Sequence, residues 1–321
     1  MLFHPLYQKL CSDDNLNRAW RAVRRLSEAA GLDGMTAAHF EPQAFVRLKK
    51  LQADLLRFKY QPHPVKRIFM AREVGPPRPL GIPTFIDRLV HRALVQILIP
   101  LFEPHFDDYS HAYRTGRSPQ TALAQARDHA LGGRPWVVKI DLRDCFGSIP
   151  RRPLLRAVNR RLHDFAVRKL IKRLLDVEVI TESNSGLRQA SKQQGLLQGS
   201  PLSPLLANIY LDAFDQAARL QGLRFVRYGD DIAIFAATRQ DAADALDVAA
   251  RILEKLHLPL NREKTKLHHL SRGFTYLGEW LSLGKMRVGR GRVGEWEKEA
   301  NRNRQNQPYN PASSKRRRSV T

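Results

Sequence analysis

Cysteine is almost absent from this chain. Only Cys11 and Cys145 are present, far apart and without CxxC spacing, so neither a disulfide framework nor a cysteine-based zinc site is expected. The eleven histidines show no HxxxH or HExxH spacing, which excludes the common metallohydrolase patterns. Long hydrophobic runs are missing too. The most apolar stretch, Leu89 to Phe102, is shorter than a bilayer span and is interrupted by His91 and Arg92, so it reads as a buried helix and no membrane association is expected. The opening Met1-Leu2-Phe3-His4-Pro5 lacks the basic-then-apolar order of a secretory signal, so a reducing, cytoplasmic setting is expected. Acidic residues are scarce: 31 Asp and Glu stand against 54 Lys and Arg, a formal charge of +23. Such an excess concentrates polyanions, which makes nucleic acid the expected partner.

The 321 residues are 43% hydrophobic, enough for a substantial core in one large domain or two small ones. Helical spacing runs through residues 14 to 60, as in Leu16, Trp20, Val23, Leu26 and Phe45, Leu48, Leu51, Leu55, interrupted at Gly31 and Gly34. Val65 to Met70 has a strand pattern, Gly75-Pro76-Pro77 marks a turn, and Arg78 to Pro83 leads into a helical run over 86–101. Trp136 to Ile140 is a short β-rich run ending at Asp141. Phe225 to Tyr228 and Ile232 to Phe235 flank Gly229-Asp230-Asp231 as a hairpin with an acidic tip. Amphipathic helices are expected near 152–176, 203–220 and 242–256. The plan is α+β, with helices on one face of an antiparallel sheet. From Gly284 the chain turns Gly-, Arg- and Asn-rich and ends in Lys315-Arg316-Arg317-Arg318, so 285–321 reads as a basic, mostly disordered tail.

Nucleotidyl transfer uses two divalent ions held by converging carboxylates, and Mg2+ favours oxygen ligands. A hairpin tip carrying Asp230 and Asp231 beside a strand ending in Asp141 can supply them. A lone Asp at a strand end is more often a turn or cap residue. Three in this arrangement argue for a site.

Tyr228-Gly229-Asp230-Asp231, with an apolar strand on each side, resembles the catalytic hairpin of reverse transcriptases and viral RNA polymerases. Asp141-Leu142-Arg143-Asp144-Cys145-Phe146 resembles the preceding metal-binding motif. Leu32-Asp33-Gly34, Arg78-Pro79-Leu80-Gly81-Ile82-Pro83 and Ala112-Tyr113-Arg114-Thr115-Gly116-Arg117-Ser118 are similar to N-terminal and fingers motifs of group II intron-like bacterial reverse transcriptases. Gln198-Gly199-Ser200-Pro201-Leu202-Ser203-Pro204, followed by Leu206 to Asp212, is the most specific match. Leu260-Asn261-Arg262-Glu263-Lys264-Thr265 and Gly273-Phe274-Thr275-Tyr276-Leu277-Gly278 complete a series spanning about residues 31 to 280 in the family's order.

The resemblance implies a right-hand polymerase of α+β class, with fingers and an antiparallel palm sheet backed by helices. It implies a helical N-terminal region over 1–60, fingers over 61–135, a palm over 136–284 and the tail beyond. Fewer than fifty residues follow Gly278, so the thumb is expected to be short or missing, its duplex clamp supplied by a protein or structured RNA. The implied activity is RNA-directed DNA synthesis on an RNA template from a DNA or RNA primer with dNTPs, in a mobile-element or in a phage-defence or CRISPR setting. Asp141, Asp230 and Asp231 are the implied ligands of two Mg2+ ions, for which Mn2+ would substitute.

By the same resemblance Arg72 and Arg78 meet the nucleotide phosphates, although a solvated role competes for Arg72. Lys264 approaches the triphosphate and protonates the leaving pyrophosphate, with a plain surface lysine as the competing reading. Gln198 and Gly199 pack against the templating base and incoming nucleotide, Tyr228 is a further residue for binding nucleotide, template or primer, and Gly273 belongs to the primer grip. Phe146 lies beneath the nucleotide C2′, where its ring would clash with a ribose hydroxyl; a core aromatic is the alternative. Asp107, Asp108, Asp212 and Asp215 read as solvated faces or caps. Gly229 stands where bacterial relatives usually carry Ala, which keeps RNA-dependent RNA polymerase open as a second reading. A non-catalytic RNA-binding or splicing factor on the same fold ranks third, since it has no need of three converging aspartates.

Overall fold

The computed structural model describes residues 4–25, 29–71, 77–182, 188–192 and 194–284. The basic tail, the Gly75-Pro76 part of the expected turn and Arg72 lie outside the described residues. The N-terminal region is helical as its spacing predicts: α1 (Pro5–Cys11), α2 (Asp13–Val23), α3 (Ala37–Phe40) and α4 (Ala44–Leu56). Ser12 starts α2 by accepting a hydrogen bond from the Asn15 N–H, and Asp13 and Asp14 sit in its first turn, where acids favour the helix dipole. Leu16, Ala19, Trp20 and Val23 recur at three- and four-residue intervals and are all buried.

Strands β1 (Val65–Met70) and β2 (Arg78–Ile82) form the expected antiparallel hairpin, with Lys66 opposite Ile82. It leads into α5 (Phe85–Phe102), which takes its N-cap bond from Thr84 and buries most of its circumference, including His91 and Arg88. Helix α2 packs on α5. Their interface contains one polar joint: the buried Asn15 amide donates to the Ala93 carbonyl at 3.2 Å and accepts from Gln96 Nε2 at 2.8 Å.

Helix α6 (Pro119–Leu131) precedes β3 (Trp136–Ile140), and three helices follow: α7 (Cys145–Ser148), α8 (Arg151–Asn159) and α9 (Phe165–Leu175). The amphipathic stretch near 152–176 is therefore two helices. Asp164 begins the second of them by accepting from the Ala166 and Val167 N–H groups, and it also accepts from Tyr7 N at 3.0 Å.

Two strands were not legible as such. β4 (Glu178–Glu182) and β5 (Arg188–Lys192) are short and mostly polar, without apolar alternation. β4 joins β1 in parallel, Val65 beside Val179, giving a four-stranded sheet in the order β2-β1-β4-β5. Parallel neighbours need a long crossover, so nothing local in the sequence announces the pairing.

Helix α10 (Ser203–Leu220) leads to β6 (Arg224–Tyr228), β7 (Asp231–Ala236), α11 (Arg239–Lys255) and β8 (Lys266–His269). A reciprocal cap between Thr238 and Asp241 starts α11. The strands form an antiparallel sheet in the order β6-β7-β3-β8. Side chains alternate across it. Val138, Ile140, Phe225, Ile232 and Ile234 join the main core with α10 and α11. Val137, Val226, Ala233 and Phe235 pack on the opposite face against α6 and a final hairpin, β9 (Phe274–Tyr276) and β10 (Glu279–Leu281). No helix among the described residues is long and apolar enough to cross a membrane.

The first sheet meets the segment before α10 through backbone. The Gly81 N–H of β2 donates to the Gln198 carbonyl at 2.7 Å. Gly199, at φ +108°, lies so close that a Cβ there would collide with the Gly81 carbonyl oxygen. Gly199→Ala is expected to combine that collision with a left-handed backbone, lowering unfolding free energy by about 1–3 kcal/mol, read as a lower midpoint in urea unfolding.

Candidate active site

The register Ile140↔Ile232 brings the end of β3 alongside the start of β7, so Asp141 and Asp231 are neighbours although ninety residues separate them in sequence. Val138 and Ile140 face the main core. Alternation therefore puts Lys139 and Asp141 on the other face, the one shared by Asp231 and Ala233. Tyr228 pairs with Asp231 across a two-residue turn of Gly229 and Asp230. Gly229 takes φ +69°, and Asp230 is exposed at the tip.

Asp141 is clamped by the loop before β8. The Asn261 N–H donates to the Asp141 carbonyl at 2.8 Å, Asn261 Nδ2 donates to Asp141 Oδ2 at 3.0 Å, and the Asp141 N–H donates to Thr265 Oγ1 at 3.3 Å. Asp231 has no such support. Among the described residues its Oδ1 is buried without a hydrogen-bond partner, and the one cation beside it is Lys139, whose Nζ lies 3.9 Å from Oδ2 and 3.4 Å from the Thr275 carbonyl. Burial pushes the Asp231 carboxyl up to about 6; Lys139 opposes the rise, and the charges of Asp230 and Asp141 add to it.

Among the described residues, no three carboxylate, histidine or cysteine groups close into a ready-made metal cage. The donor set nevertheless fits a hard cation: oxygen ligands only, acting on one another electrostatically, one of them with an orphaned buried oxygen.

The remaining candidates are distributed around this end of the sheet. Arg78 Nε donates to Gln198 Oε1, which ties the first hairpin to the segment before α10. The close backbone approach at Gln198-Gly199 is made to Gly81. Phe146 lies on α7, is 7% exposed and packs in the main core, while its carbonyl accepts from the Leu196 N–H at 2.8 Å. Lys264 is exposed in the loop that clamps Asp141. Gly273 is buried, and a Cβ there would meet the Trp280 ring at 2.6 Å. Tyr228 is partly buried at the end of β6.

One sequence expectation is corrected. Asp215 is neither a solvated face nor a cap: it is fully buried and forms a two-pronged ion pair with Arg227 of β6, at 2.7 and 2.5 Å. Arg227, also fully buried, donates further to Asn208 Oδ1 at 3.0 Å, Ser110 Oγ at 2.7 Å and the Gly229 carbonyl at 3.0 Å. Burial alone would lower the guanidinium pKa. The Asp215 carboxylate outweighs it and holds Arg227 charged. The arginine thus fastens the acidic turn to α10 and to the 107–113 segment, whose Tyr109 carbonyl accepts from the Arg227 N–H. The signal was available, because a charge inside the apolar run Phe225-Val226-Arg227-Tyr228 demands a buried partner, and Asn208 and Asp215 lie two turns apart on one helix face. Lys139, Asn261 and Thr265 were also missed as site residues.

Comparison with known proteins shows the family of the chain. The sequence profile of the family described as "Reverse transcriptase (RNA-dependent DNA polymerase)" matches residues 67–281. The chain is 30% identical over 302 residues to protein YkfC of Escherichia coli, covering 82% of this chain and 78% of that one. It is 35% identical over 229 residues to group II intron-encoded protein LtrA of Lactococcus lactis, covering 70% of this chain but 37% of that protein. Among solved structures, telomerase from Candida albicans superposes with a TM-score of 0.54 at 12% identity, covering 76% of this chain and 48% of the other.

Breaking the buried pair on one side strands a charge. Asp215→Ala is expected to lower unfolding free energy by about 3–5 kcal/mol, whereas the double change Arg227→Met with Asp215→Leu should recover most of that stability. Denaturant titration of the three proteins checks both.

Proposed function

Because this chain belongs to the reverse transcriptase family, whose members are RNA-directed DNA polymerases, we propose that it extends a primer with deoxynucleotides on an RNA template, with Asp141, Asp230 and Asp231 as the ligands of divalent cations. The observation that carries the assignment of these residues is the orphaned, buried Asp231 oxygen beside two further carboxylates, with Lys139 alone for compensation among the described residues. Divalent metal ions are general to the family. Oxygen-only donors favour Mg2+ here, with Mn2+ as a substitute. When bound, the ions supply activation of the primer 3′-oxygen and neutralisation of charge on the triphosphate.

The chain's own residues do the positioning. Asn261 and Thr265 fix the backbone and carboxylate of Asp141, so this ligand is pre-oriented. Arg227 holds the Gly229 carbonyl and with it the turn bearing Asp230. In this reading Arg78, already oriented by Gln198, offers its remaining donors to the triphosphate, and Arg72 and Lys264 add charge there. Lys264 gives its proton to the departing pyrophosphate. Gly199 seats the Gln198 segment against β2 beneath the templating pair, and Tyr228 and Gly273 border the primer end. Phe146 forms the floor under the sugar and excludes a 2′-hydroxyl. We assign the sheet β2-β1-β4-β5 to the fingers and β6-β7-β3-β8 to the palm.

Asp230→Asn is expected to reduce divalent-ion-dependent DNA synthesis by roughly 10²–10³-fold, the scale of losing one electrostatic stabiliser, while RNA affinity stays near wild type. Unchanged primer extension would remove Asp230 from the metal site. Phe146→Val, gentler on the core than Ala, is expected to raise ribonucleotide incorporation relative to deoxynucleotide by on the order of tenfold or more. Competition between dNTPs and NTPs on one primed RNA measures it, and an unaltered ratio would return Phe146 to a purely packing role.

A further inference from the structure

One supersecondary unit carries a cluster of exposed cations with no acid among them on its surface. Helix α8, the turn after it and helix α9 expose Arg152, Arg156, Arg160, Arg161, Lys169 and Lys172. None of the six makes an ion pair or side-chain hydrogen bond among the described residues. Some cations elsewhere on the surface are paired, as in Arg24 with Glu41, Lys49 with Asp13, Arg117 with Asp108 and Arg127 with Glu279, and others, such as Lys50 and Arg251, have no such partner among the described residues. The acid within the hairpin, Asp164, is buried as the α9 cap.

The arrangement works against the helix that carries it. Arg152, Arg156 and Arg160 follow one another at four-residue spacing, so like charges stack along a single stripe. Arg152 occupies the N-terminal turn, where the helix dipole disfavours cations, beside Arg151, which is paired with Asp176; Pro150 provides no side-chain cap, and Arg156 lies in the last turn, where the dipole favours it. By contrast α2 and α11 begin with side-chain caps and acids in the first turn. The repulsion between like charges along the stripe is relieved when a polyanion neutralises it. Beside it Phe165 is 60% exposed at the start of α9, an aromatic face next to a cationic stripe.

Its position separates it from the candidate active site. α8 packs on α10 and α9. α10 covers the Val138, Ile140 and Ile232 face of the sheet, whereas Asp141 and Asp231 project from the opposite face. The hairpin is therefore on the back of the sheet that carries the carboxylates.

We propose that the α8–α9 hairpin is a second nucleic-acid-binding surface, which holds the phosphate backbone of RNA lying outside the copying cleft and stacks one unpaired base on Phe165. Phosphate contacts of this kind position RNA without reading its sequence, and an exposed aromatic ring adds base stacking that any base satisfies. The inference does not depend on which residues catalyse.

The test uses the full chain and two probes: a short RNA–DNA primer–template that fills only the cleft, and the same duplex carrying a single-stranded RNA tail. Wild type should bind the tailed probe more tightly. In the variant Arg152→Gln, Arg156→Gln, Arg160→Gln the tail-dependent gain should fall by on the order of tenfold, and the slope of log affinity against log salt should drop by about 2, at about 0.7 per single-strand phosphate contact. Extension of the short duplex should stay within about twofold of wild type, the difference that separates an intact cleft from a damaged one. Melting temperature should be unchanged or higher, since the removed charges repel one another. Phe165→Ala should weaken tail binding without altering the slope. Asp230→Asn, inactive in the proposed reaction, should keep the tail effect, so that failure of the catalytic reading leaves this one standing. A tail that adds nothing in wild type, an unchanged slope in the triple variant, or a parallel loss of short-duplex extension or melting temperature would overturn the proposal.

Discussion

A fully buried guanidinium at the centre of a β-strand is tolerable only if every donor finds an acceptor, and in this protein the acceptors are spread over three parts of the chain. Arg227 reaches Asp215 and Asn208 on α10, Ser110 in the segment after α5, and the Gly229 carbonyl in its own hairpin turn. Its backbone is tied on both sides as well, to Tyr109 and His111. Removing either charge of the pair leaves the other unsatisfied in a low-dielectric interior. The turn that presents Asp230 is tied to the polar network beneath it through the Gly229 carbonyl.

That rigidity bears on the chemistry because the carboxylates above it repel. Asp141 is held from three directions by Asn261 and Thr265, Asp231 keeps an oxygen without a partner, and Asp230 is open to solvent. The fold thus sustains an electrostatic imbalance that a cation would relieve, the usual mark of a site built for a charged ligand. Asn261 and Thr265 pre-orient one of the three carboxylates, Asp141, in the free protein.

Charge is arranged asymmetrically on a larger scale. Acids of the candidate active site occupy one face of the β6-β7-β3-β8 sheet, while the unpaired cations of α8 and α9 sit behind the helices that cover the other. A uniform basic composition would attract nucleic acid anywhere on the surface. In the proposed reading the two sides of the sheet take different roles, catalysis at one and RNA retention at the other.

The sequence by itself determined the helices of the N-terminal region, the β1–β2 and β6–β7 hairpins, and the end of β3 at Asp141, because all of these are written in local periodicity, turn residues and caps. It determined the reaction class as well, through ordered motifs with an acidic hairpin among them. Tertiary structure alone decided what pairs across distance. The parallel union of β1 with β4 joins polar strands whose partner lies beyond a crossover, so no alternation marks it. Asp215, taken from the sequence for a surface acid, became the counter-ion of Arg227 only when α10 was laid against β6. Asn261 acquired its hold on Asp141 in the same way. Local patterns encode which groups a chain can bury or expose, whereas the partner of a buried charge is set by which distant segments pack together.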